Sequence, residues 1–374
     1  MRIGIMTFWT TKGNYGTILQ CYALQKYLIN IGHDAFLIRY DLHLDEDGRS
    51  KKKIPLKYLN PVKIFEYIIR RLWFKFNVSR ENRRNFDIFK EKYLKKTENI
   101  YSFSDLVNDP PDADVYITGS DQVWNFKDSL IFEKQRRAYL LDFGKKEIKR
   151  LAVAVSFGHK RIDKDILLDC ASLMRHFNHI SVREKSGIDI CKEIGIQNVE
   201  LIVDPVLLLT KEHYFSLYSN NVTISFKRPY CLVYLLKNTI NFPFSKIKKY
   251  AKKQGLDIIY ITANFLYDTH RKYFATIEEW LCLIDNAECV LTNSFHGTVF
   301  SLIFQKKFGV FPLSSAFEGW NERFYSLFEQ FGIKDGFIKD DTIISLGNDI
   351  NWDNISKNIE KWRTHTMSIL KGNL

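Results

Sequence analysis

Short apolar runs alternate with longer segments of helical periodicity along most of the chain. The first run, RIGIMTF, ends in the polar and small residues TTKGNYG, and the segment that follows, TILQCYALQKYLINIG, repeats apolar residues three or four positions apart. A second short run, HDAFLIRYD, comes next. Because a buried strand needs only a short apolar run whereas a helix buries one face of a longer segment, this order predicts a strand, a helix and a second strand.

The alternation continues through two halves of the chain. Further strands are predicted at ADVYIT, KRLAVAV, HISV and VELIV in the first half, and at RPYCLVYLL, LDIIYITA, ECVLTN and KFGVFPL in the second. Helical segments separate them, which predicts parallel sheets covered on both faces. We therefore expect an α/β protein with two domains. One covers residues 1–210, with a basic helical insertion at about 50–100, and the other covers residues 220–374 and ends in an amphipathic helix that packs back.

Composition agrees with two hydrophobic cores. The 374 residues are 45% hydrophobic, and the six cysteines form no CxxC pair and lie mostly inside apolar segments. Such cysteines are typical of the reduced core of a cytoplasmic protein. The opening MRIGIMTFW has no apolar region before a cleavage site, and no uncharged apolar run reaches the length of a membrane span. We therefore expect neither a signal peptide nor a transmembrane helix.

The formal net charge is +12, and much of the excess lies between Ser50 and Lys96, interleaved with aromatic residues. A stretch of this kind suits an anionic membrane surface, a phosphorylated substrate or nucleic acid, and it is equally compatible with a solvated helical face. Because no zinc-finger, RNP or helix-turn-helix signature accompanies it, we do not expect a nucleic-acid partner.

Ligands of open parallel sheets bind at the carboxyl ends of the strands, where helix N-termini favour anions. The loop TTKGNYGT follows the first strand, and its Asn14 and Gly16 suit a cradle for phosphate or carboxylate, although the loop taken alone is more typical of an ordinary turn. The loop lacks both the GxxxxGK[ST] and the GxGxxG spacing, so we expect no nucleotide cofactor.

Three more loops carry polar candidates. In TGSDQVWN, Asp121 either caps a helix or, with Gln122 and the face of Trp124, holds a sugar ring. In SVREKSG, Arg183 suits a bound phosphate or carboxylate unless it pairs with Glu184. The Asp204-Pro205 pair in VDPVLLL is interpreted as a hinge between the two halves.

The stretch LTNSFHGTVFSLIF contains the strongest catalytic candidate. Ser294 or Asn293 is sufficient to cap the helix that starts near Gly297, so the turn itself does not require His296. An imidazole at this position can transfer a proton near neutral pH, although an isolated histidine is often structural. No histidine or cysteine lies at ligand spacing, so we expect no metal.

Several of these segments, taken in order, resemble the polysaccharide pyruvyl transferase family over roughly residues 1 to 335. They are NYGTILQCYALQKYL, ITGSDQVWN, AVSFG, ISVREKSG, LIVDPVLLL, VLTNSFHGTVFSLIF and GWNERFYSLFEQFGI. The resemblance implies two Rossmann-like domains facing a cleft, as in GT-B glycosyltransferases. It also implies transfer of the pyruvate unit of phosphoenolpyruvate to a sugar, usually as a cyclic ketal in bacterial exopolysaccharide or capsule assembly.

The resemblance places His296 at the family's catalytic histidine and Arg183 at an arginine implicated in donor binding. Many members have Arg-Leu-His where this chain has Ser294-Phe295-His296, so either another cation binds the donor or the donor differs. Asp121, Gln122 and Trp124 are the acceptor-binding candidates. The donor-binding candidates are the residues of the cationic loops and helix starts, namely Lys12, Asn14, Gly16, Arg183, Ser294, Gly297 and Arg323.

The resemblance requires neither a metal nor a cofactor, with phosphoenolpyruvate as donor substrate. The acceptor saccharide can be linked to a nucleotide or to polyprenyl diphosphate, and in the second case residues 50–96 would dock the enzyme at the inner face of the membrane. One alternative is a GT-B glycosyltransferase that holds a sugar nucleotide through Glu318 or Glu322. Another is a non-catalytic relative that only binds saccharide.

Overall fold

The computed structural model describes most of the chain. The described ranges are 1–11, 13–45, 82–126, 133–220, 222–236, 244–262, 270–313, 315–334, 336–338 and 350–374. Within these ranges the strands form two sheets, and every strand pair is parallel. Helices connect successive strands, as expected for parallel sheets, whose neighbouring strands require crossover connections.

The larger sheet has seven strands in the order β3-β2-β1-β4-β5-β6-β7. Their bounds are β1 Arg2–Met6, β2 Asp34–Tyr40, β3 Lys96–Tyr101, β4 Val115–Thr118, β5 Lys149–Val155, β6 His179–Val182 and β7 Val199–Leu201. The smaller sheet has four strands in the order β11-β10-β8-β9. Their bounds are β8 Tyr230–Leu235, β9 Asp257–Thr262, β10 Cys289–Thr292 and β11 Lys307–Val310. All six residues of the central strand β8 are buried, as its unbroken apolar sequence YCLVYL predicts.

Helices cover both sheets. In chain order the described α-helices are α1 Tyr15–Asn30, α2 Phe86–Tyr93, α3 Phe103–Asn108, α4 Glu133–Tyr139, α5 Lys164–Met174, α6 Lys185–Glu193, α7 Lys211–Tyr218, α8 Phe244–Gln254, α9 Ile277–Asp285, α10 Phe295–Ile303, α11 Glu322–Phe331 and α12 Trp352–Asn373. Local sequence defines several of their starts. Helix α9, for example, begins with a capping box in which Thr276 and Glu279 bind each other's backbone N–H groups.

Two helices join the halves of the chain. Tyr15 at the start of α1 stacks on Trp280 of α9, with ring centroids 5.1 Å apart, and its hydroxyl donates to the Ala275 carbonyl. Helix α12 returns to the larger sheet, where the Thr366 hydroxyl accepts the Val203 N–H and Leu370 enters the core around β1. The prediction of an α/β protein with parallel sheets and a returning C-terminal helix is confirmed.

One prediction of secondary structure is wrong. The helical insertion expected at about residues 50–100 ends instead in strand β3, Lys96–Tyr101, which pairs with β2 at the edge of the larger sheet. The segment KTENIY has few apolar residues. It forms an edge strand in which three of the six residues are exposed, so most of its side chains do not enter the core. Residues 46–81 lie outside the described ranges. No described helix combines the length and apolar character that a bilayer crossing requires.

Candidate functional site

Three side chains from loops at the carboxyl ends of three strands meet at one carboxylate oxygen. Arg183 follows β6, Asp204 follows β7, and His296 follows β10 of the other sheet. Asp204 Oδ2 lies 2.5 Å from Arg183 Nη1 and 3.3 Å from His296 Nε2. All three residues are buried. The structure therefore brings together the two catalytic candidates of the sequence through a third residue.

Asp204 is the residue that the sequence reasoning missed. The pair Asp204-Pro205 is more than a hinge, because the carboxylate also accepts the Ser120 hydroxyl and the Val206 N–H. Burial raises the pKa of Asp204, but the nearby His296 and Arg183 outweigh burial and hold it below the usual range. Asp204 is therefore ionised at neutral pH. Its position in the loop that follows strand β7 was the signal that could have identified it.

The imidazole of His296 packs against the backbone of α1 at Gly16. A methyl group added to Gly16 would lie 2.1 Å from His296 Cγ and 2.2 Å from Nδ1. Only glycine therefore allows this contact. On the other side, Ser294 accepts the Gly297 N–H and caps α10, which fixes the turn that carries the histidine. Gly297 is itself close-packed, since an added methyl would lie 2.6 Å from Thr292 Oγ1.

Two buried guanidinium groups flank the ring of Phe295, the first residue of α10. Arg183 Cζ lies 4.3 Å and Arg323 Cζ 5.8 Å from the ring centroid. Within the described part of the chain, Arg183 Nε and Nη2 and Arg323 Nε have no hydrogen-bond partner. Burial and the charge of Arg183 lower the pKa of Arg323 to about 10. Buried cations with unsatisfied N–H groups are costly in isolation, so the pair suits a bound anion.

The loop after β4 contributes Asp121 and Gln122. Asp121 has a left-handed backbone with φ 79°, and its carboxylate accepts the Thr17 hydroxyl of α1 at 2.9 Å. Gln122 accepts an N–H of Asn125, whereas its own Nε2 finds no partner among the described side chains and backbone groups. Asp121 therefore ties the loop to α1, and the Gln122 amide retains a donor for a ligand.

Trp124 requires a correction. Its ring is fully buried against Phe126, Phe157 and Phe177, and its indole N–H donates to the Tyr139 carbonyl. No face of the ring is open to a sugar, so Trp124 is a core residue that supports the loop rather than an acceptor contact. The sequence shows only an aromatic residue in a polar loop. Both a core tryptophan and a sugar-binding tryptophan can lie beside hydrogen-bonding groups, so the sequence did not distinguish them.

The structure describes three of the four remaining candidates. Asn14 is the N-cap residue of α1 and makes no side-chain cap hydrogen bond, and its buried Oδ1 has no partner within the described ranges. Lys12 lies outside the described residues. Glu318 is exposed and Glu322 is half-buried at the start of α11. No group of three or more His, Cys, Asp or Glu side chains in the described ranges is arranged to hold a metal ion.

Comparisons with known proteins address the family and the fold of this chain. A family model described as "Polysaccharide pyruvyl transferase" matches residues 14–315, and no curated protein matches. UDP-N-acetylglucosamine 2-epimerase from Rickettsia bellii superposes with a TM-score of 0.55 at 10% identity, covering 99% of this chain and 95% of that chain. The corresponding enzyme from Methanocaldococcus jannaschii gives a TM-score of 0.51 at 11% identity, covering 96% and 92%.

At such low identity the two epimerases are evidence for the fold alone, and they make this chain GT-B-like. The family match has a different weight, because it spans the loops of Asp121, Arg183, Asp204 and His296 in one continuous range. This chain belongs to the polysaccharide pyruvyl transferase family.

Proposed function

We propose that the protein transfers the pyruvate unit of phosphoenolpyruvate to a pair of sugar hydroxyls, forming a pyruvate ketal on a bacterial surface polysaccharide such as an exopolysaccharide or capsule. The observation that carries this proposal is the pair of buried guanidinium groups, Arg183 and Arg323, at the ring of Phe295, the residue before His296. Phosphoenolpyruvate has a carboxylate and a phosphate on one small molecule, which suits two adjacent cations next to a proton-transferring side chain.

Donor binding uses the N–H groups that the protein leaves unpaired. Asp204 takes Nη1 of Arg183, and the Nε and Nη2 edge remains for a phosphate or carboxylate. Arg323 supplies the second cation, in place of the arginine that many family members have at the position of Ser294. The N-terminus of α10 adds its dipole at Phe295 and His296. Asn14, Gly16 and Gly297 shape the surrounding backbone.

The reaction requires an acid for the methylene carbon and a base for each hydroxyl. Protonation of C3 makes C2 electrophilic, a sugar hydroxyl adds to C2, and the bond from C2 to the phosphate oxygen breaks. A second hydroxyl then closes the ketal. Each hydroxyl loses one proton: one balances the proton delivered to C3, the other is taken up by the departing phosphate, and His296 is assigned to relay them. Asp204 supplies a fixed negative charge beside the ring when the ring is protonated.

The acceptor is proposed to enter from the β4 side, where Asp121 and the free amide N–H of Gln122 lie. The sugar is proposed to be carried by a nucleotide or by polyprenyl diphosphate, and membrane docking through residues 50–96 stays a prediction. One basic residue of that segment has another role. Arg84 is buried, lies over the Tyr15 and Phe274 rings, and donates to the Thr262 carbonyl, so it joins α1 to the smaller sheet.

Donor identity is tested by thermal melting with millimolar phosphoenolpyruvate, with UDP and CDP as comparators. A ligand at about 100 times its Kd stabilises the native state by about 2.7 kcal/mol, so we expect a clear rise in Tm with phosphoenolpyruvate. Arg323→Gln should lose most of this shift, and the exposed control Arg161→Gln should keep it. A shift with UDP or CDP alone would identify a nucleotide-sugar glycosyltransferase instead.

Turnover is measured as phosphate released from phosphoenolpyruvate with a panel of nucleotide- and lipid-linked sugars. In this phosphate-release assay we expect Gly16→Ala to lower the rate roughly 100-fold, because the added methyl displaces the His296 ring by about 1 Å. The same crowding should cost about 1–3 kcal/mol of stability. Gly372→Ala is the control, since its methyl meets nothing within 4 Å. An unchanged rate in Gly16→Ala would contradict this geometry.

A further inference from the structure

Glu184 is a buried carboxylate that the reaction described above does not use. It is the N-cap residue of α6 and makes no cap hydrogen bond there. Instead Oε1 accepts the Phe157 N–H at 2.9 Å and the Gly158 N–H at 3.3 Å. Its other oxygen, Oε2, is buried without a hydrogen-bond partner in the described part of the chain. It lies 3.9 Å from Arg183 Nε. One oxygen is therefore fixed and the other faces the guanidinium at a distance too long for a hydrogen bond.

The position of Oε2 places it beside the unpaired edge of Arg183. The N–H groups on Nε and Nη2 of an arginine point in the same direction and bind one anion with two parallel hydrogen bonds. Asp204 occupies Nη1 and leaves this edge without a partner among the described residues. An anion held by Nε and Nη2 would therefore contact Oε2 of Glu184.

The charge of Glu184 then decides whether an anion can bind. An ionised Oε2 would repel a phosphate or carboxylate bound at the Nε and Nη2 edge of Arg183. A protonated Oε2 would instead donate a hydrogen bond to that anion. The charged and titratable groups of the surrounding cluster are Arg183 from the same loop, Asp121, Asp204, His296 and Arg323.

The surroundings of Glu184 shift it toward its protonated form. Burial raises its pKa, and Arg183, the Ser156 hydroxyl and the N–H groups of Gly158 and Phe157 lower it by less. Asp204, on the same guanidinium, has its pKa lowered instead. Opposite pKa shifts in two neighbouring carboxylates separate their roles, so Asp204 acts as the anion and Glu184 as the acid.

We propose that Glu184 binds the donor in its protonated form, with the Oε2 hydroxyl donating to the anion on the Nε and Nη2 edge of Arg183, so that donor binding takes up a proton. The inference rests on the proposed function for the identity of the donor. Glu184 is then a specificity residue, because an anion binds at this edge of Arg183 only when the Glu184 carboxyl is protonated.

The test compares wild type with Glu184→Gln by calorimetric titration of phosphoenolpyruvate between pH 5 and 9. Glutamine keeps an acceptor oxygen for the Phe157 and Gly158 N–H groups and stays neutral at every pH. The Kd of wild type is divided by the Kd of Glu184→Gln at each pH. In this ratio the titration of the donor, and of groups that both proteins share, cancels. We expect this ratio to rise with pH by about tenfold per unit once Glu184 loses its proton. Glu193→Gln, an exposed residue of the same helix, should titrate like wild type.

Each outcome has a defined meaning. A ratio that stays constant with pH overturns the inference, since a purely structural role would change Kd equally at all pH values. Inorganic phosphate is titrated in parallel to separate this failure from failure of the proposed function. If phosphate binds with the expected ratio and phosphoenolpyruvate does not bind, the role of Glu184 stands and the donor assignment falls. If neither anion binds wild type, both are overturned.

Discussion

His296→Ala is expected to lower the phosphate-release rate by about 10²–10⁴-fold, the usual contribution of a positioned acid–base group. The structure explains why the effect should be confined to the reaction. The ring lies beside Gly16 and Asp204, whereas the turn around it is held by the Ser294 cap, which the variant keeps. The variant should therefore stay folded and should still show a Tm shift with phosphoenolpyruvate.

The matched control for this prediction is His176→Ala, an exposed histidine after α5. It should release phosphate at the wild-type rate. Normal turnover in His296→Ala would show that another group relays the protons. Loss of turnover together with loss of the Tm shift would assign His296 to donor binding rather than to proton transfer.

Asp204→Asn is expected to reduce the free energy of unfolding by about 3–5 kcal/mol at pH 7, because it leaves the buried Arg183 without its counter-charge. The effect should depend on pH. The folded-state pKa of Asp204 is lower than the unfolded value of about 3.9, so its contribution is present above that pH and is lost as the pH falls. The difference between the two proteins should therefore shrink in acid.

Denaturant unfolding at pH 7 and near pH 3 measures both parts of this prediction, with the exposed residue Asp169 changed to Asn as the control. Equal stability of wild type and Asp204→Asn at pH 7 would show that Arg183 is compensated by another group. A stability difference that persists unchanged in acid would assign the loss to hydrogen bonding with Ser120 and Val206 rather than to charge.

The positions of Arg183 and His296 were predictable because one rule covers both. Polar residues in the loop or helix start after a parallel strand lie at the carboxyl end of its sheet, where ligands bind, and both residues do so, each at its own sheet. The rule applied equally to Asp204, but the following proline favoured a turn interpretation. A proline constrains the backbone and carries no information about where the preceding carboxylate points.

Other features depend on contacts between distant parts of the chain and leave no local pattern. The contact of Gly16 with His296 joins α1 to α10, and neither segment alone indicates that a side chain would clash there. Trp124 was a candidate for acceptor binding because its neighbours in the loop are polar, although the ring itself is buried in the core. Strand β3 escaped the apolar-run criterion because an edge strand is half solvated.

Helix α1 packs on the second half of the chain and helix α12 packs on the first. This arrangement affects the order in which the chain can fold during synthesis. Helix α1 leaves the ribosome early, yet Tyr15 stacks on Trp280 of α9, which is translated much later. The larger sheet in turn is completed by α12, which follows the smaller sheet in the chain. The nascent N-terminal half therefore exposes an apolar helix face until the second half emerges. Chaperone binding should be strongest over this interval and should end once α12 has emerged from the ribosome.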